Sequence, residues 1–304
     1  MRKLAAAKQP EAGAPVLTSQ ARVQGFPGVS IGGVDSGFAR RTTLFVQLSG
    51  IRIFPIKSLD GVAREESRIT PGGILEHDRE YAFFDEAGKQ VKAKRNPRLH
   101  LLRTYFNPEM TEVAFRVEGD SATAVFPLVE AGRIGVWVGA YLGFPVTLRR
   151  EPLKGFPDDT AAFGPTIVSA ASLATVGERF PGLSMESIRR RFRTNLEVAG
   201  MEAFGEDRLF RGQGENVPFT IGSVRILGSY PCQRCPVPAR DPMTSEEFPG
   251  FLETFSEARE RGLPDWADRS RFNHFYRFAV NTSIEASEAG KTVRVGDPVG
   301  ITPR

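Results

Sequence analysis

Between residues 43 and 150 the chain is written in pieces too short to be helices. Apolar residues alternate over residues 44–56, with a break at Gly50, and the run ends in Pro55-Ile56-Lys57-Ser58. Residues 81–84 follow, closed by the turn Asp85-Glu86-Ala87-Gly88, and then come residues 99–106, 113–117 and 124–128. Apolar runs of this length, separated by turn residues at short intervals, predict an antiparallel sheet or barrel. A helix over residues 134–142 leads into a strand over 146–149. Residues 152–165, with three Pro, two Gly and Asp158-Asp159, read as a linker or an active-site loop.

Beyond Ile167 the pattern is mixed. Ser169 or Ser172 is placed to cap a helix carrying Leu173, Val176 and Phe180, stopped by Pro181-Gly182. Ser184 caps a second, with Glu186 in its first turn. Residues 195–198 and 218–227 are strand-like. Thr244 and Glu247 have capping-box spacing, Pro249-Gly250 interrupts, and a helix runs on to Arg261 with Gly262 as its stop. Residues 275–284 and 292–301 are closing strands. Strands with interspersed helices give a mostly β fold with α, the α+β class.

The chemistry is concentrated in one place. The chain has two cysteines, both in Pro231-Cys232-Gln233-Arg234-Cys235, with Asp241-Pro242 six residues on. A structural zinc site needs four ligands, yet the three histidines, His77, His100 and His274, lack His-x-x-x-His spacing. A thioredoxin-like dithiol belongs at a helix N-terminus, whereas Pro236 and Pro238 suit an extended loop. A single thiolate can also ligate a soft, redox-active metal when a cofactor supplies the other ligands. The plain alternative is two inert, buried thiols.

Charge and composition narrow the partners. The net charge is +4, from 40 Lys+Arg and 36 Asp+Glu, too small a bias to argue for nucleic acid by itself. Arginines cluster at Arg189-Arg190-Arg191 with Arg193, at Arg149-Arg150, and near Lys92, Lys94, Arg95 and Arg98. Such clusters mark either an anionic partner or a solvated face. Aromatic-basic RNA signatures, zinc fingers and a basic heptad region are all missing, so no nucleic acid is expected. No apolar run reaches the ~18–20 residues of a membrane span. Residues 1–42 are rich in Ala, Gly, Pro, Gln and Ser and are expected to be a disordered or irregular extension. Leu4-Ala5-Ala6-Ala7 is cut short by Lys8, so no secretory signal is expected and the reading is cytoplasmic.

Several motifs fall in a known order. Pro55-Ile56-Lys57-Ser58, Asp78-Arg79 and Arg95-Asn96-Pro97-Arg98-Leu99 are followed by Phe192-Arg193-Thr194-Asn195 and Ile221-Gly222-Ser223-Val224. The Cys-x-x-Cys, Asp241-Pro242 and Val295-Gly296-Asp297-Pro298 complete the series. Over residues 44–302 the chain resembles the two-part MOSC proteins, the family of the mitochondrial amidoxime-reducing component and its bacterial relatives. The resemblance implies a MOSC N-terminal β-barrel domain over 43–152 and a MOSC β-barrel domain with flanking helices over 153–304. The chain departs from the family pattern at Ile56, His77, Thr194 and Ala239-Arg240, the last adding charge beside the cysteine pair.

What the resemblance implies is a molybdenum cofactor, molybdopterin carrying the metal. The second cysteine, Cys235, would be the protein ligand to the metal, and Cys232 a neighbour without an assigned task. Lys57, Ser58, Arg79, Arg193 and Asn195 match the family's pterin-binding positions. Asp241 would act on the metal site through a hydrogen bond, or simply open an Asp-Pro turn. The implied activity is reduction of N-hydroxylated small molecules (amidoximes, hydroxylamines, N-hydroxylated bases). With no ferredoxin-type cysteine cluster and no Gly-x-Gly-x-x-Gly, the electrons must come from a separate protein, a ferredoxin/flavin reductase or a small cytochrome system. The alternatives are a module that carries the cofactor or a sulfur without turnover, and a dithiol oxidoreductase.

Overall fold

The computed structural model of the chain describes residues 46–301, so the extension expected over 1–42 lies outside them. Strand β1 (Gln47–Ile53) buries Leu48, then Ile51 and Ile53. Those positions have opposite parity, and strict alternation would send one set to solvent. A bulge between Leu48 and Gly50 inserts the extra residue that brings both sets inward. This is the break that Gly50 announces in the sequence.

Next come β2 (Val62–Arg64), β3 (Glu66–Arg68) and β4 (Tyr81–Phe84). The segment expected as one strand over 99–106 is divided. Pro97, which has no N–H to donate, opens a 3-10 turn over Pro97–Leu101, and only then does β5 (Leu102–Phe106) begin. β5 runs into a meander with β6 (Glu112–Val117) and β7 (Thr123–Pro127). Helix α1 (Ala131–Leu142) ends on left-handed Gly143, and β8 (Thr147–Arg150) pairs with β4. Around them Phe83, Leu102, Phe115, Ile134 and Val138 form one core.

The second half begins with β9 (Ile167–Ser169) and α2 (Ala170–Glu178). Ser169 is the cap, accepting from Ala171 N, whereas the Ser172 hydroxyl is spent on Glu206 and Phe204. Ser184 caps α3 (Met185–Phe192) by accepting from Ser187 N, as its sequence predicts. After β10 (Leu196–Ala199), residues 218–227 prove to be a hairpin rather than one strand. β11 (Val217–Ile221) turns at Gly222, φ 55°, into β12 (Val224–Gln233). The Thr244/Glu247 capping box is not used. Asp241 accepts from Met243 N and Thr244 N, making a turn there, and α4 (Phe251–Arg261) starts only after Gly250. β13 (Arg277–Ser283) follows, and the expected closing strand splits at Gly296 into β14 (Thr292–Arg294) and β15 (Val299–Ile301).

Eight strands form one sheet in the order β15-β11-β12-β13-β9-β10-β1-β2, parallel only between β9 and β10. Leu48 N donates to Asp297 O (2.9 Å) and Val299 N to Val46 O (2.8 Å), which returns β1 to β15 and closes a barrel. Closure removes the unpaired edge that would otherwise invite another strand. Leu48, Ile167, Val198, Phe219 and Ile226 fill its interior. Outside, α2, α3 and α4 pack through Phe180, Phe192, Phe251 and Phe255, with the Phe180 and Phe251 rings stacked 4.2 Å apart.

One charged cluster lies inside this fold. Glu206, Asp207 and Arg259 are each no more than 3% exposed. Burial, then the charge of Asp207, pushes the Glu206 carboxyl up to about 8, so at neutral pH the folded chain keeps a proton there. A raised carboxyl stabilises fully below its unfolded value of 4.5 and loses that contribution as pH climbs through about 8. His100 has the opposite sign. Burial, then the charges of Arg193 and its neighbours, lowers it from 6.5 to about 4, so its contribution is complete above 6.5 and lost on acidification. The two oppose one another up to pH 6.5, leaving Glu206 alone between 6.5 and 8. Urea unfolding is expected to show stability falling in that window by up to ~1.4 kcal/mol per pH unit. Glu206→Gln should flatten the window, and a wild-type profile that is level or rising there would contradict the assignment.

Candidate active site

A cleft of about 1150 Å³ is lined by the segment after β1, the loop over 152–165, the C-terminus of α3 and the end of β12. Both cysteines line it. Cys232 is the penultimate residue of β12, and Cys235 lies beyond the strand, exposed, just before a 3-10 turn over Val237–Ala239. The prolines thus do what their chemistry requires and exclude an α-helix start at the pair. The cysteines are also inequivalent. The Cys232 sulfur accepts from Arg234 Nη1 at 3.2 Å, whereas no protein partner is recorded for Cys235 among the described residues. Those residues contain no group of three or more His, Cys, Asp or Glu placed to hold a metal ion.

Arg79 and Arg193 meet in the same cleft against one ring. Their guanidinium carbons lie 5.3 Å and 4.1 Å from the Phe54 centroid. Phe54 is fixed first, its N–H donating to Asp78 Oδ1 (2.8 Å) and its carbonyl accepting from Arg79 N (2.8 Å). Arg79 pairs with Asp78 and reaches Asn195 Oδ1 at 3.4 Å. Arg193 has no carboxylate partner among the described residues, and its Nη1 donates to Leu59 O (2.6 Å). Burial, then the charge of Arg79, lowers it to about 10. Two like charges held together with one uncompensated make a ready site for an anion.

The backbone says the same. Ser58, Arg79 and Arg193 have φ of 73°, 53° and 52°, the left-handed region that favours glycine. Holding a side chain there costs about 1–3 kcal/mol each, and such strain gathers at functional sites. Arg193 is the αL residue that ends α3, a position where glycine is usual.

The other sequence-predicted residues take supporting places. Asn195 is nearly fully buried and its amide is committed to protein: Nδ2 donates to Arg52 O, and Oδ1 accepts from Thr166 N and Thr166 Oγ1. It holds Arg79 in position. Lys57 is 3% exposed beneath the 152–165 loop, its Nζ donating to Phe156 O (2.9 Å) and Pro157 O (2.8 Å) and pairing with Asp158 (3.0 Å). Burial, only partly offset by Asp158, lowers Lys57 to about 8. Desolvation pulls the Asp158 carboxyl up, but its side chain is 69% exposed and the charges of Lys57 and Arg79 prevail, bringing it to about 2. Ser58 lines the cleft and accepts from Ala93 N (3.2 Å). Asp241 is not among the lining residues. Its carboxylate pairs with Arg191 (3.0 Å), whose Nη1 donates to Pro238 O (3.1 Å), and so braces the loop that carries Cys235.

The arginine run of α3 is not one patch. Successive residues turn by about 100° on a helix, and each finds its own acid: Arg189 with Glu197, Arg190 with Glu186, Arg191 with Asp241. Sequence reasoning missed Phe54, and it missed Tyr230 and Asn281, which with Asp159 of the marked loop form a group in which Asp159 Oδ2 accepts from Tyr230 Oη (2.8 Å) and Asn281 Nδ2 (3.1 Å). It also missed His100, a lining residue whose buried Nε2 has no hydrogen-bond partner among the described residues. The Asp158-Asp159 pair in its Pro-rich loop was the one available signal.

No helix among the described residues is long and apolar enough to cross a membrane. Comparison with known proteins gives the family. The chain is 26% identical to mitochondrial amidoxime reducing component 2 of Macaca fascicularis, with 91% of each chain aligned. It is 25% identical to the Homo sapiens protein of that name, covering 81% of each. Molybdenum cofactor sulfurase of Caenorhabditis briggsae is 25% identical over 79% of this chain, but the chain spans only 35% of that relative's length. The family model for the MOSC N-terminal beta barrel domain matches residues 45–132, and that for the MOSC domain matches residues 161–300. The chain therefore belongs to the MOSC-domain proteins, with a MOSC N-terminal β-barrel domain ahead of the MOSC domain itself.

Proposed function

We propose that this cleft binds a molybdenum cofactor and that the protein reduces N-hydroxylated small molecules with electrons from a separate donor protein. The observation that carries the reading is the convergence of Arg79, Arg193 and a solvent-facing Cys235 on one cleft. The residues fit the group: an uncompensated guanidinium suits a terminal phosphate, and a free thiolate is a soft ligand of the kind molybdenum accepts. Since no cluster of protein ligands surrounds Cys235 among the described residues, the cofactor's own sulfurs would complete the coordination.

Arg79 and Arg193 would grip the anionic end, their planes set by Phe54, with Asn195 fixing Arg79. Lys57 and Ser58 would hold the adjoining backbone. Cys235 would be the metal ligand, and Asp241, through Arg191 and Pro238, a positioning residue for its loop. When bound, the cofactor would supply a two-electron redox centre. The balance is R–NH–OH plus two electrons and two protons to R–NH2 plus water, the N–O bond being the one that breaks. The protein's part is to orient the substrate and exclude competing reactions.

The likeness to cofactor sulfurases favours one other reading, a module that carries the cofactor or a sulfur without turnover. Molybdenum and pterin analysis of protein made in a cofactor-producing host, with benzamidoxime and reduced methyl viologen, separates the two. Near-stoichiometric molybdenum with turnover is expected. Bound cofactor without turnover of any N-hydroxylated compound would favour the carrier; absence of molybdenum would sink the reductase and the cofactor carrier and leave only a sulfur carrier.

A further inference from the structure

The cleft is far more basic than the chain. Thirteen Arg or Lys line it against four Asp, while the whole sequence carries a net charge of only +4. Six of those cations have a carboxylate within ion-pair distance: Arg52, Arg79, Arg103, Arg190, Arg191 and Arg240. The other seven have none among the described residues. Arg193 is taken up by the anion site already described, and Lys92, Lys94 and Lys154 are long, flexible chains. That leaves Arg234, Arg271 and Arg277, which gather around Pro231 and Cys232.

Two of these three are held in place by neutral partners, and the third, Arg271, lies against a neutral ring. Arg277 Nη1 donates to Pro231 O (2.8 Å) and its Nη2 to Asn273 Oδ1 (2.7 Å). Arg234 donates to the Cys232 sulfur and to Phe192 O. The Arg271 guanidinium lies 5.8 Å from the Tyr230 ring centroid and makes no side-chain hydrogen bond among the described residues. Burial lowers Arg277 and the charge of Arg271 pulls it the same way, opposed by the neighbouring Cys232 and Tyr230. Neighbouring guanidiniums that repel one another and lack a carboxylate are stabilised by an anion from outside.

We infer that Arg271 and Arg277 form an anion subsite beside Cys232, so that the substrate carries a carboxylate or phosphate group in addition to its reducible N–O bond. The N–O bond rests on the proposed function; the anionic group does not. Pro231 and Cys235 are four steps apart along the chain, at most about 14 Å when extended, so one small molecule can reach both.

Titration calorimetry on the wild-type protein would compare benzamidoxime with its 4-carboxy and 4-phosphono derivatives. Either anionic ligand should bind at least about tenfold more tightly than the neutral one, and the better of the two names the anionic group. The advantage should shrink in 0.5 M salt, as partly exposed charges are screened. In Arg271→Ala and in Arg277→Gln, which keeps an amide donor, the ratio of neutral to anionic Kd should collapse toward one. No anion preference in the wild type overturns the inference. So does a preference that survives both substitutions yet disappears in Arg193→Gln, because the anion would then sit at the cofactor end. Anion preference without turnover would remove the reductase reading and leave the subsite; turnover without preference would do the reverse.

Discussion

Arg259→Met is expected to destabilise the fold by about 3–5 kcal/mol, the usual loss when one partner of a buried ion pair is removed. In a chain of this size that is on the order of 10 °C in Tm. Arg259 comes from α4 and pairs with Asp207 beside Glu206, all three side chains being buried. Its guanidinium also lies 4.2 Å and 5.0 Å from the Phe204 and Phe272 centroids, so it bridges the outer helix to the barrel wall. Methionine keeps most of the apolar contact and removes only the charge and the donors. What remains is Asp207 facing an already protonated Glu206 with no cation between them and bulk solvent excluded. Part of the loss will be recovered by Asp207 taking up a proton, so the defect should deepen as pH rises from 5 to 8. Combining Arg259→Met with Asp207→Asn should restore most of the stability, because a neutral pair needs no counterion. Differential scanning fluorimetry across that pH range decides it; an Arg259→Met protein within about 1 kcal/mol of wild type at pH 8 would show that the pair contributes little.

The outcome at Arg259 was not legible in the sequence, and the reason is general to this chain. Signals that act over a few residues were readable. Gly50 marked the bulge, Ser184 the start of α3 and Gly262 the end of α4, because each is decided by local backbone chemistry. Residues 218–227 misled because both arms of the hairpin are apolar and Gly222-Ser223 is a two-residue turn, so the pattern reads as continuous. Thr244 and Glu247 had capping-box spacing, but the Asp241 carboxylate claims the local N–H groups and Pro249 bars an earlier helix. The site follows the same rule. The order of motifs singled out Lys57, Ser58, Arg79, Arg193 and Asn195, but only the structure separates the two guanidiniums held over Phe54, one of them without a carboxylate among the described residues, from Asn195 and Lys57, whose polar atoms face protein. Arg271 and Arg277 were invisible because residues far from the cysteine motif bring them to it, and nothing local distinguishes them from surface arginines.

Cys235→Ala is expected to lower benzamidoxime reduction more than about 100-fold, beyond the 10–100-fold that loss of an outer partner of a metal ligand costs. The pterin should be largely retained. Arg79 and Arg193, the groups proposed to grip its anionic end, belong to other elements and share no hydrogen bond with Cys235. Activity and pterin content therefore part company, which a folding defect could not produce, since Cys235 is exposed and alanine there leaves no buried cavity. Cys232→Ser is the matching control. The serine oxygen can still accept from Arg234, so the wall of the cleft is preserved, and activity should stay within about tenfold of wild type. If the two variants lost activity equally, the cysteines would be acting as a pair and the dithiol reading would return. If Cys235→Ala bound molybdenum and turned over at the wild-type rate, Cys235 would not be the ligand. The asymmetry rests on position: one sulfur lies within β12 against an arginine, the other beyond the strand facing the cleft.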